Sequence, residues 1–116
     1  MTIKEFYAYS GGDFNEVIGR LGNEERVLKF LKRFDEEESL KVMLAALEDE
    51  DYTEAFRAVH SIKGICLNLG LAKLLESSSE LCEALRNGKP EEDISRMVDT
   101  VKKDYDSVCI DVAGLE

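Results

Sequence analysis

Phe56-Arg57-Ala58-Val59-His60-Ser61-Ile62-Lys63-Gly64-Ile65-Cys66-Leu67-Asn68-Leu69-Gly70 contains the only histidine among 116 residues. Wound as a helix, Ala55, Val59, Ile62, Cys66 and Leu69 fall within about 80° of one another and form a stripe suited to a core. His60 lies nearly opposite that stripe, so it faces solvent and is not a hydrogen-bonded core histidine. Lys63 at i+3, Gly64 at i+4, Arg57, Phe56 and Leu67 share its outward sector. Glycine inside a helix costs about 1 kcal/mol against alanine, so Gly64 needs a reason beyond helix formation. Its missing side chain opens space over the imidazole for another molecule.

The rest of the chain reads as helices. Thr2 to Tyr9 forms a short one with Ile3, Phe6 and Tyr7 on one side, ended by Ser10-Gly11-Gly12. Asp13 caps a second, with Glu16 as capping-box partner and Phe14, Val17, Ile18 and Leu21 as its apolar side. Asn23 caps a third, striped by Val27, Phe30, Leu31 and Phe34. The phase then breaks. Apolar residues resume at Leu40, Met43, Leu44 and Leu47, turned by more than a third of a revolution, which predicts a kink between Asp35 and Ser39. The run Asp35-Glu36-Glu37-Glu38 is expected to start the helix beyond it, at the favourable end of the dipole.

Glu48 to Asp51 is a polar connection into the His60 helix, which ends with Gly70 in the C′ position. Leu71, Leu74, Leu75, Ser78, Leu81, Cys82 and Leu85 stripe the next helix, stopped by Asn87-Gly88. Pro90 is expected to open the last helix at its first turn, with Ile94, Met97, Val98, Val101, Tyr105 and Val108 inward. Short connections imply an all-α, up-down antiparallel four-helix bundle with short N-terminal helices packed across it. The expectation is one domain over residues 1–116, with 1–22 as a lid of helices and 23–116 as the bundle.

A formal net charge of −10, from 25 acidic and 15 basic residues, argues against nucleic acid or an anionic membrane as partner. There is no signal-like N-terminus and no apolar run near the roughly 20 residues that span a bilayer, so a cytoplasmic protein is expected. Cys66, Cys82 and Cys109 are far apart, with no C-x-x-C pair and no second histidine, and read as buried reduced thiols rather than metal ligands. No Gly-rich phosphate loop or G-x-S-x-G is present. A lone histidine without a pocket makes a poor enzyme. As a covalent nucleophile, however, a free imidazole of pKa about 6.5 is largely neutral at cellular pH. Lys63 supplies charge for phosphoryl oxygens, Gly64 supplies access, Phe56 and Leu67 supply apolar docking area, and Arg57 a second charge. The pattern describes a phosphocarrier without an autonomous active site and without ATP hydrolysis or kinase activity of its own.

His60-Ser61-Ile62-Lys63-Gly64, continued by Asn68 and Gly70, resembles the H-x-x-K-G-x-x-x-N-x-G signature of histidine-containing phosphotransfer (HPt) domains of two-component phosphorelays. The stretch from Gly12-Asp13 through Leu21-Gly22-Asn23 to Phe34 also resembles that family. The resemblance implies a four-helix bundle with His60 phosphorylated at the ring nitrogen distal to the backbone, Lys63 compensating charge and Gly64 giving clearance. Asn68 and Gly70 match positions near the helix end and are expected to be structural, capping rather than touching phosphate. The implied partners are receiver domains of response regulators or a hybrid histidine kinase. Mg²⁺ is expected on the receiver, with no metal or cofactor bound here. The chain resembles a free-standing relay protein or an excised domain, and a monomer suffices for a single-histidine site. Two other readings stay open: a non-catalytic helical adaptor that binds receivers through Phe56 and Leu67, and the phosphoacceptor domain of a chemotaxis-type histidine kinase.

Overall fold

The computed structural model describes all 116 residues, and they form only helices and their connections. The helices are α1 (Ile3–Ser10), α2 (Phe14–Leu21), α3 (Glu24–Lys32), α4 (Ser39–Glu48), α5 (Tyr52–Leu69), α6 (Ala72–Leu85) and α7 (Ser95–Ala113), with a 3₁₀ turn at Arg33–Glu36. α4 packs on α5, α5 on α6 and α6 on α7, while α3 and the 3₁₀ turn reach α7. The molecule is elongated, 41 × 22 × 19 Å, as long helices laid side by side require. One contiguous core runs from Ile3 to Leu115. It includes all five residues of the stripe, Ala55, Val59, Ile62, Cys66 and Leu69, which are buried.

The phase break after Phe34 appears as the 3₁₀ turn followed by two irregular residues. α7 holds it in place: the Phe34 ring packs 4.6 Å from that of Tyr105, whose hydroxyl donates to the Glu37 carbonyl at 3.1 Å. The acidic run precedes α4 rather than starting it. Asp35 and Glu36 lie in the 3₁₀ turn, and the Glu37 carboxylate accepts from the backbone N–H of Ser39.

Three further expectations are corrected. α7 opens at Ser95, not at Pro90. Asp93 accepts from both the backbone N–H and the hydroxyl of Ser95, a local bond of the kind that competes with helix in the residues before it. Asp13 does cap α2 through the Glu16 N–H, but the Glu16 carboxylate pairs with Arg20 at 2.7 Å instead of closing a box. The complete capping box is at α1, between Thr2 and Glu5. Cys66 and Cys82 are buried as expected, whereas Cys109 is half-buried.

The end of α5 is where the N-terminal helices attach. A helix leaves its last four carbonyls without intrahelical partners, here those of Cys66, Leu67, Asn68 and Leu69. Gly70 (φ 65°) turns the chain into the left-handed region, and the N–H groups of Gly70 and Leu71 both donate to Cys66. Arg20 of α2 donates to Leu67 at 2.7 Å and to Asn68 at 3.2 Å. Tyr7 of α1 donates its hydroxyl to Leu69 at 2.6 Å in a buried bond. The backbones meet closely here. A Cβ on Gly70 would stand 2.7 Å from Val17, and one on Gly12 would run into the Gly70 carbonyl.

Candidate functional site

His60 stands on the exposed face of α5, two turns from its N-terminus, and its ring nitrogens make no hydrogen bond within the chain. It lies outside the larger surface concavities. A cavity of about 250 Å³ between α1, α6 and α7 is lined by Phe6, Tyr9, Leu74 and Ile110 instead. An exposed side chain outside any such cavity has no walls to surround a substrate, and a second molecule would supply the remaining groups for a reaction at His60.

The neighbours arrive from two helices. Phe56 and Leu67 lie one turn before and two turns after His60, the first half-buried, the second 53% exposed. The Phe56 ring sits 5.8 Å from the imidazole, tilted by 39°. Lys63 is half-buried and forms no ion pair, so its ammonium is uncommitted. A Cβ built on Gly64 meets nothing within 4 Å, hence nothing inside the protein requires glycine there. Arg57 is exposed and sits 3.6 Å from Glu54, a pair too solvated to hold it firmly. Its charge is therefore partly spent within its own helix.

Asn68 is exposed, and its side chain makes no hydrogen bond. The capping expected of it falls to Gly70, Arg20 and Tyr7 through main-chain carbonyls. Gly70 is structural on two counts, its left-handed backbone and its contact with Val17.

Sequence reasoning missed two residues contributed by α6 and its end. The Arg86 guanidinium lies 5.7 Å from the centre of the Phe56 ring, and Glu83 holds it at 2.9 Å. Hydrogen bonds from Arg86, then its charge, hold the Glu83 carboxyl below the usual range. Burial pushes the Cys82 thiol up, against the nearby charges of Lys63 and Arg86. An i,i+3 Glu–Arg pair was legible at this spacing, but not which helix face it would meet.

An exposed, unbonded imidazole flanked by a free ammonium and by empty space is suited to covalent phosphorylation. The family model of the Hpt domain matches residues 32–109. The chain belongs to the Hpt domain family. Hpt domains serve histidine phosphotransfer in two-component signalling and interact with receiver domains of response regulators or with kinases. The Hpt match takes in His60 and every neighbour described above. It begins at the last residue of α3, so α1, α2 and the resemblance seen from Gly12 onward lie outside it. Searches of curated proteins and of solved structures gave no match. No helix of this Hpt chain is long and apolar enough to cross a membrane.

Proposed function

We propose that this Hpt domain relays a phosphoryl group between receiver aspartates, with His60 as the intermediate carrier. The observation that carries the reading is an exposed imidazole beside an unpaired Lys63 and an unobstructed Gly64. In the step we envisage, the neutral ring bears its proton on Nδ1 and attacks through the Nε2 lone pair. The N–P bond forms as the bond from phosphorus to the aspartyl oxygen breaks. Its electron pair leaves on the receiver's carboxylate, and the ring carries the positive charge until Nδ1 loses its proton or the group moves on. Lys63 balances charge on the phosphoryl oxygens, where positioning and electrostatics supply most of the catalysis. Mg²⁺ belongs to the receiver in this scheme, and no cofactor is assigned to this chain.

Phe56 and Leu67, with Arg57 at the edge, form the docking surface in this reading. Short connections and sequential packing support residues 23–116 as an up-down antiparallel four-helix bundle, with α3 and α4 as the two halves of one kinked first member before α5, α6 and α7, within a single domain whose residues 1–22 form the lid. A monomer in the cytoplasm is sufficient for the task.

Incubation with a receiver phosphorylated on its aspartate, in the presence of Mg²⁺, should give an acid-labile, alkali-stable phosphoprotein, and His60→Gln should abolish the label. Label that persists in His60→Gln would overturn the assignment. Binding without label would favour an adaptor. Label obtained only from an ATP-charged kinase domain would favour the kinase phosphoacceptor.

A further inference from the structure

The cations around His60 are not equally available. Lys63 faces no carboxylate at ion-pair distance, although its charge reaches Glu83, whereas Arg86 is paired directly with Glu83. Its Nε donates to Oε1 and Oε2, each at 3.1 Å, and its Nη2 donates to Oε2 at 2.9 Å. The same guanidinium lies over the Phe56 ring, which also has the imidazole 5.8 Å from its centre. Arg86 and the imidazole thus share the Phe56 ring as a neighbour, and a carboxylate three residues back on the α6 side is paired with Arg86.

We propose that Glu83 competes with the phosphoryl group on His60 for Arg86, and so sets how far the transfer equilibrium lies toward phospho-His60. The inference rests on the relay reading above. Glu83 is a positioning residue, since it acts through Arg86. The two side chains are 69% and 50% exposed, so their pair is solvent-screened and easily exchanged. A phosphoryl group brings nearly two negative charges and three acceptor oxygens, and it draws a guanidinium more strongly than one carboxylate does. The Phe56 face gives the guanidinium a favourable surface along which to shift. Competition suits a carrier. Without it, Arg86 would stabilise phospho-His60 fully and turn an intermediate into a sink; with it, part of that stabilisation is withheld and the group passes on.

The test is the ratio of phospho-His60 to phosphorylated receiver at equilibrium. Glu83→Gln should raise it by about twofold to fivefold, Glu83→Asp should stay near the parent ratio, and the gain should largely vanish in an Arg86→Ala background. An unchanged ratio, or an equal gain with and without Arg86, would overturn the proposal. Chemical phosphorylation of the protein with phosphoramidate separates this from the relay reading, because it needs no receiver. The NMR signal of the Arg86 Nε–H should move when His60 is phosphorylated and should already be displaced in unphosphorylated Glu83→Gln. A signal indifferent to phosphorylation would overturn the proposal even if the relay holds, and a moving signal in a protein that no receiver labels would sink the relay alone.

Discussion

A methyl group at position 64 would touch nothing in this chain, so Gly64→Ala separates what the protein needs from what its partner needs. Stability should rise by about 1 kcal/mol in thermal or urea unfolding, because alanine is the better helix former. Phosphotransfer from a receiver should nonetheless slow by an order of magnitude or more, since the methyl fills the space above the ring. A variant both more stable and fully active would remove the clearance role. Lys63→Ala should slow phosphorylation or shift its equilibrium while changing stability by less than about 0.5 kcal/mol, since Lys63 makes no ion pair and lies off the core stripe. At this scale much was legible: the exposure of His60 and the burial of Val59 and Ile62 follow from helical phase. Arg57 and Asn68 were less so, because phase gives direction but not partner, and Glu54 and Arg20 are the partners found.

The element that matters most is α5, and its C-terminal turn is completed by residues far away in sequence. Arg20→Ala removes a charged donor from the Leu67 and Asn68 carbonyls and should cost about 1–2 kcal/mol, discounted for its partial exposure. Tyr7→Phe strands the buried Leu69 carbonyl and should cost about 1–3 kcal/mol. Amide hydrogen exchange should show both variants loosening the α5–α6 turn while the amides around His60 stay protected. Equal loosening throughout α5 would contradict a local clamp. Gly70 as a helix end was legible because a left-handed residue there favours glycine. The start of α7 was not, because a proline permits a first turn without requiring one, and Asp93 bonds Ser95 instead.

At the scale of the molecule, the segment outside the family match is part of the core. Ile3, Phe6, Tyr7 and Val17 are each 3% exposed or less. Burying four such side chains contributes on the order of 6–12 kcal/mol, comparable with the entire net stability of a small domain, about 5–15 kcal/mol. A chain cut to residues 23–116, without the lid, should therefore lose its cooperative thermal transition, and one that melts like the full chain would show the lid to be dispensable. Alkaline pH should also weaken the fold. Burial pushes the Cys66 thiol up from 9.0 to about 12 and raises the Tyr7 phenol as well. A group whose folded value is raised contributes fully below its unfolded value and loses that contribution as pH climbs through the folded one. Stability should thus fall from about pH 9 toward about pH 12, with a shallower slope in Cys66→Ala, as urea titrations across that range would report.

The sequence by itself determined the helical class, the core stripe of α5, the outward direction of His60 and the glycine that ends its helix. All of these are local consequences of side-chain period and backbone sterics. It determined as well that Lys63 and Gly64 flank the imidazole, since neighbours at i+3 and i+4 on a helix need no knowledge of the rest of the fold. Only the tertiary structure decided that Arg86 approaches Phe56, that Arg20 and Tyr7 complete α5, and that Gly12 meets Gly70. Those contacts join residues 30 to 62 positions apart, and which faces meet depends on how packed helices settle against one another, a property no single helix carries in its own period.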